Sequence, residues 1–184
     1  PPLANYLYAA SIWIYSQLPW IDIAAIDTLQ FEQLNPLSYR WLNALLGSLL
    51  CLLAYFFAYA IWKNNNFALI VSFFVAIDGS LLVDSRFALA NIYIVFFGLS
   101  ALLCAAKSQS ADVNPRYWLL SSGVFLGLVA SVKWNGLGYM LVILSFFLAL
   151  YCMQKLDLYE LRFTQNQINR LRTQKKINSN QQKM

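Results

Sequence analysis

The chain contains no histidine, and of its 184 residues only 8 are acidic and 11% are charged. Without histidine, imidazole acid–base catalysis and histidine metal ligation are excluded, which leaves carboxylates, lysine and arginine as the chemical groups. Cysteine is equally sparse. Cys51, Cys104 and Cys152 each stand alone in an apolar run, the pattern of small buried hydrophobes rather than of a disulfide or a metal site. No metal and no cofactor is expected. The net charge of +5 is concentrated in the C-terminal tail and forms no folded basic face, so no nucleic-acid partner is expected either. A basic segment followed by a short apolar core and a small-residue cleavage site is also lacking, so no signal peptide is read. The sequence opens on Pro1 rather than Met, and a longer parent chain is expected.

What the chain has in abundance is apolar surface: 60% of its residues are hydrophobic, against roughly half in soluble domains. This composition implies an all-α, polytopic membrane bundle. Residues 1–21 carry no charge and place Leu3, Tyr6, Leu7, Ala10, Trp13 and Ile14 on a helical stripe. Trp13, Tyr15 and Trp20 suit the headgroup level, which favours a helix lying in the interface over a span. Residues 22–39 are polar and acidic and read as an ordered loop. Five spans follow, at 38–62, 67–83, 87–106, 117–132 and 134–153; the first is about the length that crosses ~30 Å of hydrocarbon and the second is on the short side. With the C-terminus in the cytoplasm, Lys63, Lys107, Arg116 and the seven basic residues from Lys155 to Lys183 lie inside, ten of the thirteen Lys and Arg. The expected organisation is therefore a membrane domain over 1–153, whose first 37 residues are extracytoplasmic, and a basic cytoplasmic tail over 154–184.

The most informative stretch runs from Asp78 to Asn91, where Asp78, Asp84 and Arg86 interrupt two apolar runs. Ionisable groups at a membrane boundary are costly unless they are paired or face water or protein, so a functional role is the first hypothesis. A local Asp84/Arg86 pair in an interfacial turn is the plainer alternative. Threading five spans puts Arg40, Arg86 and Lys133 on the outer face, all at span ends. Three cations kept where topology disfavours them point to an anionic ligand, best a lipid phosphate, with headgroup snorkelling as the alternative. Asp78 is expected to be structural, near the outer end of a short span and bonded to neighbouring backbone. Gly123, Gly127 and Ser131 recur every four residues and suggest close helix packing. Gly136 and Gly138 suggest a backbone turn or a ligand approach.

At these residues the chain resembles a known family. Ser85-Arg86-Phe87 followed by Leu89 and Asn91, then Gly123, Leu126-Gly127, Ser131, Lys133-Trp134 and Gly136, is similar to the protein O-mannosyltransferases. Pro1-Pro2-Leu3 resembles the end of that family's His-Pro-Pro-Leu motif, and Ser38 to Leu46 its next membrane-entry segment. The resemblance covers residues 1 to about 152. It implies a glycosyltransferase C type fold and transfer of a sugar, typically mannose, from a polyprenyl-phosphate carrier to a protein Ser or Thr hydroxyl. It places Arg40, Arg86 and Lys133 at positions expected to line the carrier-phosphate or active-site face; Asp78, Asp84, Asn91 and Trp134 are further supporting candidates. Asn91 stands where the family usually has Asp, and the family's acidic base precedes the Pro-Pro motif. No catalytic residue is therefore assigned, and the stretch alone is expected to be inactive. The implied partners are the lipid-linked donor, a protein acceptor and membrane lipids. The expected location is a bacterial plasma membrane, with the endoplasmic reticulum as the alternative. Competing readings are a related transferase with a lipid or glycan acceptor, a non-catalytic remnant, and a transporter using Asp78.

Overall fold

The computed structural model describes residues 3–18, 35–110 and 114–156. Most of the expected acidic loop and nearly all of the basic tail lie outside the described residues. The chain divides into two compact units, Pro1–Leu141 and Val142–Met184. Every described element is a helix or a turn. In chain order they are α1 (Leu3–Ser16), α2 (Leu37–Trp62), α3 (Asn65–Ile77), α4 (Gly79–Arg86), α5 (Asn91–Lys107), α6 (Pro115–Val132) and α7 (Trp134–Leu156), whose first turn, Trp134–Gly136, is a 3-10 turn. Together they form an all-α membrane helical arrangement, in which α4, with Asp84 and Arg86, is the least apolar element. In the second unit the described residues form the C-terminal part of α7.

Length and composition assign these helices different roles. α2, with 26 residues, and α7, with 23, are each long and apolar enough to cross a membrane. α3 and α4 satisfy the same test only together, as a pair bent by 56°, and α5 is a shorter apolar helix. At 14 residues, α1 reaches only ~21 Å, short of a bilayer core.

The local chemistry explains the boundaries. Pro36 precedes α2, and Lys63 ends it in the left-handed region at φ 53°, its N–H donating to the Tyr59 carbonyl. The Asn64 side chain then caps α3 by accepting from the Asn66 and Phe67 amides. The expected continuous span over 67–83 is broken at Asp78, because its carboxylate accepts the Leu81 amide at 2.9 Å and starts a new helix. Asp78 is thus bonded to neighbouring backbone as expected, but it is exposed and serves as a helix cap. α4 extends to Arg86, so the segment read as a turn at Asp84–Arg86 is helical, and the span expected from Phe87 begins only at Asn91. Asn114 caps α6, with Pro115 at its first position.

α2 is the hub, packed against α1, α3, α4 and α5, while α5 also packs on α6. Small residues supply several of the helix contacts while many large ones face outward: Ala54, Ala58 and Ala68 are buried and Leu52, Phe56, Phe73 and Phe74 are exposed, although Leu50, Ile92 and Tyr93 are buried as well. Neighbouring helices are tied by side chains that donate to backbone carbonyls. Ser72 Oγ bonds the Cys51 carbonyl at 2.8 Å, Ser122 Oγ the Ala101 carbonyl at 3.0 Å, and Ser11 Oγ the Ser38 carbonyl at 2.9 Å. The expected glycine stripe does not pack: a methyl at Gly123 or Gly127 would meet nothing within 4 Å. The close approaches are elsewhere. Tyr139 lies over Gly98, and Gly136 is buried against the Val129 backbone, which supports the turn expected there.

Gly47 is the tightest of the α2 contacts, since a Cβ there would sit 2.6 Å from Ser85 Cβ on α4. Gly47→Ala is expected to push α4 off α2 and cost about 1–3 kcal/mol. Thermal unfolding in detergent should show a lowered midpoint, substantially restored by adding Ser85→Gly. An unchanged midpoint for the single variant would contradict this packing.

Candidate functional site

The short connection from α4 to α5, residues 87–90, is contacted by side chains of α1 and α2, with Arg86 just before it and the Lys133–Asn91 pair just after it. It begins with the end of α4. The Phe87 amide donates to the Val83 carbonyl and the Leu89 amide reaches back to the Asp84 carbonyl at 3.1 Å, leaving Ala88 in the left-handed region at φ 55°. That closure is usually made by glycine, and alanine there carries a steric penalty.

Two side chains hold this loop. Tyr8 of α1 donates its hydroxyl to the Ala88 carbonyl at 2.5 Å, and Asn43 of α2 donates Nδ2 to the Leu89 carbonyl at 3.0 Å. The other side of the Asn43 amide accepts the Tyr93 hydroxyl at 2.6 Å. Tyr93 and Tyr8 meet edge to face at 5.6 Å between ring centres. Asn43 and Tyr93 are fully buried, and beside them Ala4, Leu50, Ile92 and Val132 close the core. Burial pushes the Tyr8 phenol above its ordinary value, with the Asn43 side chain acting in the opposite sense, so Tyr8 remains a donor at neutral pH.

The three cations expected at the lipid phosphate surround the same connection. Arg86 is the last residue of α4 and is exposed. Arg40 lies 5.8 Å from the ring centre of Phe87, the next residue, and 5.6 Å from that of Tyr39. Arg40 also lines a pocket of about 300 Å³ together with Tyr8, Tyr39, Phe87 and Ala88, and its Nε is buried with no hydrogen-bond partner among the described residues. Lys133, at the end of α6, donates Nζ to Asn91 Oδ1 at 2.9 Å, on the first residue of α5. Because asparagine is neutral, this bond positions the ammonium group without cancelling its charge.

The supporting candidates fall differently. Asn91 belongs to the cluster through Lys133. Trp134, 76% exposed, follows Lys133 in sequence; its carbonyl accepts the Leu137 amide, but its indole makes no hydrogen bond among the described residues. Asp78 lies at the opposite end of α4 from Arg86, ~12 Å along the axis, and is not part of this cluster. Asp84 is buried, and its carboxylate forms no ion pair with Arg86 or any other described residue. No group of histidine, cysteine and acidic side chains that could hold a metal ion occurs among the described residues. Asn43, Tyr8 and Tyr93 were not singled out by sequence reasoning. The available signal was Asn43 itself, an amide inside a 26-residue apolar helix, where an unsatisfied polar group is expensive.

Comparison with known proteins gives a consistent picture. The sequence profile of the family described as dolichyl-phosphate-mannose-protein mannosyltransferase matches residues 1–168. A polyprenol-phosphate-mannose–protein mannosyltransferase of Corynebacterium glutamicum is 31% identical over 76% of this chain and 28% of its own length. The dolichyl-phosphate-mannose–protein mannosyltransferase 6 of Saccharomyces cerevisiae is 29% identical over 85% of this chain and 22% of its own length. Protein O-mannosyl-transferase 1 of Mus musculus is 25% identical over 79% of this chain and 20% of its own length. The chain thus spans less than a third of the length of these relatives. No solved structure matches it.

Because Asn43 is fully buried and serves two partners, Asn43→Leu leaves both the Tyr93 hydroxyl and the Leu89 carbonyl without it. A loss of about 2–4 kcal/mol is expected. Tyr93→Phe removes one bond only and should cost about 1 kcal/mol. Comparing the two by denaturation in detergent checks the network, and equal effects would show that Asn43 does not bridge.

Proposed function

The chain belongs to the dolichyl-phosphate-mannose-protein mannosyltransferase family, and we propose that it forms the carrier-phosphate side of such an enzyme's active site. In this reading the donor is a polyprenyl-phosphate mannose, the acceptor is a protein Ser or Thr hydroxyl, and transfer takes place on the extracytoplasmic face of the membrane. The names of the relatives support the donor and the protein acceptor, and the placement of Lys and Arg along the sequence supports the face. A bacterial plasma membrane remains the preferred location, although the relatives include bacterial, fungal and animal proteins.

The observation that carries the reading is that Arg40 and Lys133, on different helices and distant in sequence, both touch the segment that starts at Arg86. During transfer the acceptor oxygen bonds to the sugar's anomeric carbon while the bond from that carbon to the phosphate oxygen breaks. A carboxylate takes the hydroxyl proton; no such group touches Arg40, Arg86 or Lys133 among the described residues. The electron pair of the breaking bond stays on the departing lipid phosphate, whose charge grows towards the transition state. Arg86 offers a planar fork of N–H donors for phosphate oxygens, and Lys133, held by Asn91, supplies a point charge. Arg40 contributes from its aromatic seat as a third, nearby cation. Groups fixed in place before the charge develops stabilise the transition state more than the ground state.

Each of Arg86→Ala and Lys133→Ala is expected to cost about 2–4 kcal/mol of transition-state stabilisation, lowering turnover ~30-fold to several hundred-fold. Since both serve one leaving group, the double variant should lose clearly less than the sum. The measurement is mannose transfer by the gene-encoded protein in membranes, at matched expression, with lipid-phosphate mannose as donor. Near-normal rates in both single variants would leave these residues as headgroup anchors, and strict additivity would assign them to two separate sites.

A further inference from the structure

We infer that Tyr8 and Asn43 are positioning residues that act through the α4–α5 connection, setting where Arg86 and the Lys133–Asn91 pair stand relative to each other. The inference rests on the proposed phosphate site and adds to it the device that assembles it. Arg86 stands two residues before the carbonyl held by Tyr8, and Asn91 two residues after the carbonyl held by Asn43. The clamp therefore sits between the two elements that bear the charged groups. It grips the segment where the backbone is least favourable, at the left-handed Ala88. Left-handed non-glycine residues persist only where the surroundings over-determine them. Here two bonds from different helices supply that constraint, and Tyr93 fixes the orientation of the Asn43 amide by donating to its oxygen.

If the clamp only stabilised the fold, removing one of its bonds would change the amount of folded protein and leave turnover per folded molecule intact. If it positions the site, turnover falls while the protein stays folded, and a residue that adopts the left-handed conformation freely compensates. Tyr8→Phe is the sharpest probe, because it deletes one hydroxyl and keeps the ring against Tyr93. Asn43→Asp is the second, because it retains an acceptor for Tyr93 and loses the donor to Leu89.

The experiment measures kcat and donor KM for the gene-encoded protein in membranes, normalised to folded protein, with a synthetic polyprenyl-phosphate mannose and a Ser/Thr peptide. Arg86→Ala is run alongside. Tyr8→Phe and Asn43→Asp are each expected to lower kcat about tenfold, with donor KM changing much less. Adding Ala88→Gly to Tyr8→Phe should recover most of the lost kcat, since glycine needs no holding in that conformation. If Arg86→Ala is impaired while both clamp variants keep kcat within about twofold, the positioning role is overturned and the phosphate site stands. A clamp variant whose kcat is not recovered by Ala88→Gly also overturns it. If Arg86→Ala turns over normally, the site and its positioning device fall together.

Discussion

The structure around the candidate site depends on one constraint: a polar group removed from water inside a membrane helix must find its partners within the protein. Asn43 meets that constraint by placing its amide between Tyr93 and the Leu89 carbonyl, and in doing so it fixes α2, α5 and the connection before α5 against one another. An apolar residue at position 43 would pack against lipid-like neighbours on many helix faces with similar energy. A carboxamide whose donor and acceptor are both used has one good solution, which is how a polar residue confers specificity in an environment with little hydrophobic discrimination.

The same logic extends outward. Bonds from Ser11, Ser72 and Ser122 run to backbone carbonyls of a neighbouring helix, using the second lone pair of groups already engaged in helical bonds. α4 shows the arrangement most sharply. Its buried residues are Asp84 and Ser85, and its exposed ones include Leu82 and Val83, the reverse of a surface helix in water. A segment with that distribution sits against lipid on one side and against α2 on the other. The Gly47–Ser85 contact lets it lie close enough for Arg86 to emerge beside Phe87 and Arg40.

Much of this was legible in the sequence, for reasons that differ by element. Apolar runs and their flanking charges located the helices because backbone satisfaction in a membrane leaves little choice but a helix. The three cations stood out in the sequence because the expected topology places them on the side where positive charge is disfavoured. The bend at Asp78 was not, since the same Asp-Gly-Ser sequence can sit in the last turn of a span or cap a new helix, and which one wins depends on how α2 receives α4. The glycine stripe at 123 and 127 misled because spacing shows that residues share a face, not that the face has a neighbour. Asn43 and Tyr8 went unrecognised because their partners are main-chain carbonyls, which carry no residue identity in the sequence.

The electrostatic character of the cluster follows from how its cations are held. A lysine paired with a carboxylate would present a nearly neutral unit to an incoming anion, and an arginine in a salt bridge would have its fork occupied. Here Lys133 is oriented by a neutral amide and Arg40 by two aromatic rings, while Arg86 makes no ion pair among the described residues. Among the described residues, no carboxylate pairs with any of the three groups. At a membrane boundary, where the effective dielectric constant is below that of water, three uncompensated positive charges around one short loop repel each other. The repulsion must be balanced by the packing and hydrogen bonds that fix the loop. In the proposed site, an arriving phosphate would relieve that repulsion as well as form its own bonds. The tightness with which Tyr8 and Asn43 hold residues 88 and 89 is then the counterpart of the charge that the loop keeps together.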